Sequence, residues 1–87
     1  QDKLIKDNIE KVFKEILVIY KSYFYAKIDI ESSDVINSDF AFIANNSVKS
    51  LEKEIGLITK VLNNINYNLN LELMLDKFVI EMGEING

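Results

Sequence analysis

The chain has 87 residues, room for one hydrophobic core and no second, and its 48% hydrophobic and 28% charged residues are those of a folded globular domain. Histidine, cysteine, tryptophan and proline are absent and every basic residue is a lysine, which excludes Cys/His zinc sites, thiol or histidine catalysis, and arginine clamps on phosphate or guanine. A net charge of -4 argues against nucleic acid as a direct ligand, and no apolar run is long enough to span a membrane.

From Leu4 to about Tyr25 the apolar residues recur every three or four positions: Leu4, Ile5, Ile9, Val12, Phe13, Ile16, Leu17, Tyr20, Phe24. That spacing predicts one amphipathic helix, braced on its polar side by Asp7 with Lys11 and Glu10 with Lys14. Around Ile16 to Tyr20 the stripe widens to almost the whole circumference, so the middle of this helix is expected to be buried on more than one side. Residues 27–37 lose the period and read as an extended connection. Residues 39–45 read as a short helix with Phe40, Ile43 and Ala44 turned inward and Ser38 as its N-cap.

Asn46 or Ser47 caps the next predicted helix, which runs to about Asn64. Its apolar positions Val48, Leu51, Ile55, Ile58, Leu62 and Ile65 alternate steps of three and four, a seam suited to packing along another helix. Gly56 in mid-helix marks an expected point of close helix contact. The asparagine-rich stretch from Asn63 to Asn68 then breaks the pattern. Asn64 is expected to end one helix and Asn66 to cap the last, with Tyr67 as its first residue. That last helix carries two apolar stripes, Leu71, Leu75, Phe78, Met82, Ile85 on one and Leu69, Leu73, Ile80 on the other. Two stripes imply two buried faces, so the helix is either central to the bundle or partly covered by another subunit. The fold class is therefore all-α, a bundle of about four to five helices over residues 1–87.

Few residues suggest chemistry. Glu52 and Glu54 flank Lys53 and point apart, so they form no acid/base couple. Glu72 and Asp76 share a face, but solvated acids on a helix surface are the ordinary case. Asp34, Asn37 and Asp39 space their oxygens like part of a calcium loop that lacks its glycine and its terminal glutamate. Tyr20, Tyr23, Phe24 and Tyr25 cluster at the end of the first helix, where without arginine or a basic face they suit packing better than base stacking. No catalytic, metal or cofactor site is expected. The candidate interface consists of Leu69, Leu73 and Ile80 or of the Tyr20–Tyr25 cluster, with completion of the core as the alternative for each.

The stretch Asn64-Ile65-Asn66-Tyr67-Asn68-Leu69-Asn70-Leu71-Glu72 resembles the Asn-x-Asn-x-x-Leu-x-Leu-Glu signature near the C-terminus of bacterial DNA polymerase III clamp-loader δ′ subunits. Met74, Leu75 and Phe78 continue the match. Lys14-Glu15-Ile16-Leu17-Val18 is similar to that domain's Arg-Asp-apolar-Leu-Val stretch, and Ile36-Asn37-Ser38-Asp39 to its linker. The charged pair departs from the pattern by using lysine and glutamate, which loses any bidentate contact. Tyr67 stands where the family often has proline, a residue suited to the first helical position.

The resemblance implies the C-terminal collar domain, which follows the AAA+ module and packs beside its relatives in a ring. Asn64, Asn66, Leu69, Leu71 and Glu72 would serve as its helix-capping motif. The implied role is oligomerisation of the complex that loads the sliding clamp in DNA replication. The γ/τ and δ subunits would be its partners, in the cytoplasm, and the chain itself would hydrolyse nothing. An opening at Gln1 and Asp2 suits a C-terminal piece of a larger subunit. A different class of function is a self-associating helical adaptor, unrelated to replication, that dimerises through the Val48–Ile65 seam.

Overall fold

The structure, a computed structural model, describes residues 2–28, 46–67 and 70–86. Among them every regular element is helical: α1 over Asp2–Ile28, α2 over Val48–Asn64 and α3 over Leu71–Asn86. The predicted helix at 39–45, its Ser38 cap, the partial calcium-like spacing and Leu69 all lie outside the described residues. So does the expected extended connection, except at Lys27 and Ile28, which remain helical and extend α1 beyond its predicted end. Lys27 in the last turn favours that extension, because its cation sits at the carbonyl end of the helix dipole. At 27 residues α1 is about 40 Å long, which accounts for the molecule's 42 Å long dimension.

Of the two caps that the sequence offers for α2, Asn46 and Ser47, the second is the one used. Ser47 is extended and its hydroxyl accepts from the Ser50 amide at 3.1 Å, while its carbonyl accepts the first helical bond from the Leu51 amide at 2.9 Å. The helix ends at Asn64, whose side-chain amide turns back to the Lys60 carbonyl at 2.7 Å. The start of α3 differs from expectation. Ile65 keeps helical backbone angles so that its side chain can be fully buried, and the chain closes a turn with the Tyr67 amide on the Asn64 carbonyl at 3.0 Å. Asn66 is used up in that turn. The N-cap is Asn70, whose side-chain oxygen accepts from the Leu73 amide at 3.0 Å and whose carbonyl accepts from Met74 at 3.1 Å. Tyr67 is accordingly a turn residue, and Leu71 and Glu72 open the helix, with Glu72 well placed at the positive end of its dipole.

The core lies along α2. Leu51, Ile58 and Ile65 of the predicted seam are completely buried, and Val61 nearly so. Phe13, Ile58 and Val61 form one cluster, lined by Ile9, Ile16 and Leu17 of α1 and by Met74, Leu75 and Phe78 of α3. Tyr23 and Leu51 form a second, and Tyr20 packs against both. Helices α1 and α3 both pack on α2, and they meet each other at the edge-to-face pair of Phe13 and Phe78, ring centroids 5.0 Å apart. Of the predicted seam, Leu51, Ile58 and Ile65 are thus used within the chain, while Val48, Ile55 and Leu62 are half-buried. Helix α3 is not the central helix, since none of its residues is fully buried.

Two substitutions check this description. A Cβ added at the exposed Gly56 meets nothing within 4 Å, so the expected close helix contact is absent there. Gly56→Ala should then raise the unfolding free energy by about 1 kcal/mol, read as a higher urea midpoint at unchanged slope. Asn70→Ala should lower it by about 1 kcal/mol and Asn66→Ala by less than about 0.5 kcal/mol; the reverse order would return the cap to Asn66.

Candidate interaction surface

The inner face of α3 carries Leu71, Leu75, Phe78, Met82 and Ile85, each half-buried. Its other apolar stripe faces outward. Leu73 is 64% exposed and Ile80 61%, and their seven-residue separation brings them within about 20° of each other around the helix. Val79, not singled out by periodicity, is exposed beside Ile80, and Tyr67 in the preceding turn is 83% exposed. A groove of about 720 Å³ runs between α2 and α3, with Leu57, Val61, Met74 and Phe78 as apolar lining and Leu73 and Tyr67 at its margin.

The aromatic cluster at the end of α1 is divided by the fold. Tyr23 is only 1% exposed and belongs to the core with Leu51, so it is unavailable to an outer surface. Tyr20 and Phe24 are half-buried against the same cluster. Tyr25 faces out, its ring edge-to-face with Phe24 at 5.7 Å. Val18, seven residues earlier, shares that outer side, and Ile28 is also exposed. The middle of α1 is thus not enclosed on all sides within this chain. The predicted brace between Glu10 and Lys14 forms at 2.8 Å.

One functional-looking residue escaped the sequence reading. Glu54 has no exposed surface at all, whereas Glu52 is exposed, which agrees with their pointing apart. The Glu54 carboxylate accepts from the Asn46 side-chain amide at 2.8 Å and from the Asn86 side-chain amide at 3.1 Å. Asn86 also donates to the Met82 carbonyl at 3.0 Å. Two neutral amides, one at the entry to α2 and one at the end of α3, thereby hold a buried acid between them. A signal was present: Leu51, Glu54, Ile58, Val61 and Ile65 step by three, four, three and four, so Glu54 sits on the core stripe. Glu72 and Asp76 are both exposed, and among the described residues no group of three acids is placed to hold a metal ion.

Burial lifts the Tyr20 phenol above its ordinary value of 10.0, and the nearby charge of Glu54 adds to the lift. Above pH 10 the unfolded chain releases this proton while the folded chain still holds it. The associated stability is complete below the ordinary value and is lost as the pH rises through the raised one. Denaturation above about pH 10 should therefore show a steeper loss of stability in the native chain than in Tyr20→Phe; equal slopes would mean that the phenol is open to solvent.

No helix among the described residues is long and apolar enough to cross a membrane. Comparison with protein-family models, with curated proteins and with solved structures finds no match to this chain.

Proposed function

We propose that this chain is a non-catalytic assembly domain, holding a larger protein complex together through its outer helix faces. The observation that carries this reading is the exposure of Leu73 and Ile80 on a helix whose opposite face is already packed. Exposed apolar residues scattered singly are ordinary, but a stripe continued by Val79 and Tyr67 beside an apolar groove is the composition of a contact surface. A second outward patch, Val18 with Tyr25 and Ile28 on α1, gives the domain two faces for neighbours. A ring of subunits needs two such faces, one toward each side.

The resemblance to the clamp-loader δ′ collar makes the reading more specific. On it, the chain belongs to a collar-type bundle of about four to five helices, works in the cytoplasm and packs beside the γ/τ and δ subunits in the complex that loads the sliding clamp. In support, Asn64 ends α2 and Leu71 and Glu72 open α3, so the signature spans a helix junction. Lys14 to Val18 lies in the middle of α1, where the chain contributes both to the core and to an outer face. Asn70, not Asn66, does the capping, so the capping agreement at Tyr67 no longer supports the resemblance.

Self-association as an adaptor is the competing reading. It would use the outer face of α3 or of α1, or the half-buried Val48, Ile55 and Leu62 of the seam, since Leu51, Ile58 and Ile65 are internal. Mixing the chain with γ/τ and δ collar domains and sizing by light scattering separates the two. The expected result is a stoichiometric complex that Leu73→Asp with Ile80→Asp weakens by about tenfold or more while leaving helicity unchanged. A stable homodimer and no mixed complex would favour the adaptor.

A further inference from the structure

The groove between α2 and α3 has a charge opposite to that of the chain as a whole. Lys60 stands on the α2 side and Lys77 on the α3 side, both exposed, above a floor that includes Val61, Met74 and Phe78. Glu81 also lines the groove but lies 3.9 Å from Lys77, at the limit of an ion pair. Among the described residues Lys60 has no ion-pair partner. The margin is therefore net positive on a chain of net charge -4.

We infer that this groove docks an acidic amphipathic helix of a partner protein. The inference rests on the assembly reading and names the chemistry of the partner. Asn70 to Glu81 line the α3 side over about 16 Å, the rise of about three helical turns. A helix of that length offers apolar side chains three, four and seven residues apart to the floor, and carboxylates on its flanks to the two lysines. Leu73 at the margin gives the incoming helix an apolar shoulder, which explains why a leucine is held in solvent there. A second copy of the chain is a poorer occupant, because its helices carry lysines among their acids (Lys14, Lys53 and Lys77, for example) and would present like charge to Lys60 and Lys77.

The test uses two fluorescent helical peptides of about twelve residues, each with leucines on one face and either glutamates or lysines on the flanks. Fluorescence anisotropy should show the glutamate peptide binding at least about tenfold more tightly than the lysine peptide. Lys60→Glu with Lys77→Glu should reverse that preference, and Leu73→Asp should weaken the glutamate peptide by about tenfold, with far-UV circular dichroism unchanged in both variants. Failure of the glutamate peptide to bind, equal binding of the two peptides, or indifference to the lysine variants would overturn the inference. So would a homodimer abolished by Leu73→Asp, since the occupant would then be a second copy. The two readings fail separately. A complex with γ/τ and δ that ignores the lysine variants removes the groove from the assembly, whereas selective peptide binding with no such complex keeps the groove and removes the clamp-loader partners.

Discussion

Everything in this domain is arranged on the buried face of α2. Leu51, Glu54, Ile58, Val61 and Ile65 form one line that is closed to solvent, and α1 and α3 each pack against it. The two outer helices share little with each other beyond the contact of Phe13 with Phe78, so α2 determines where both of them lie. Truncating Ile58 or Val61 would leave a cavity facing both α1 and α3, whereas truncating Leu51 would open the cluster with Tyr23 on α1.

Glu54 gives this apolar line a fixed register. Burying an acid is unfavourable unless its oxygens are satisfied, and here they are satisfied by amides from two distant parts of the chain. Asn46 precedes α2 and Asn86 ends α3, 32 positions along the chain from Glu54. Sliding either segment by one helical turn would separate the acid from its donors. Among the described residues no buried side-chain nitrogen or oxygen is left without a partner. Hydrophobic burial tolerates small displacements of one helix along another, and a directed polar contact does not. Burial, with a smaller contribution from the same carboxylate, raises the pKa of the Tyr20 phenol, which connects the α1 packing to the α2 core electrostatically as well as sterically.

The outward surfaces follow from the number of helices that one helix can serve. With α2 in the middle, α1 and α3 each have one face packed and one face free. The free faces carry Leu73 and Ile80 on α3, and Val18 and Tyr25 on α1, where an isolated soluble domain would favour polar residues. On the proposed assembly reading, these two faces meet neighbours and the lysines beside the groove select which one enters. The one buried acid among the described residues is held by two side-chain amides.

The sequence by itself determined the helical class, a cap at Asn46 or Ser47, the end of α2 at Asn64, and Leu51, Ile58 and Ile65 of the α2 core face. Each depends on residues within one or two turns of each other, so periodicity and capping chemistry suffice. Asn66 and Asn70 offer the same side chain to a helix start, and the fold uses Asn70, with Ile65 fully buried in the turn before it. Only the tertiary structure could divide Tyr23 from Tyr25, two residues of one type two positions apart, because an α-helix turns them about 200° from each other and α2 lies on one side alone. It also decided that Glu54 is enclosed while Leu73 and Ile80 are not. A stripe of apolar residues states that a face avoids water, but whether this chain or another covers it depends on what stands opposite in space.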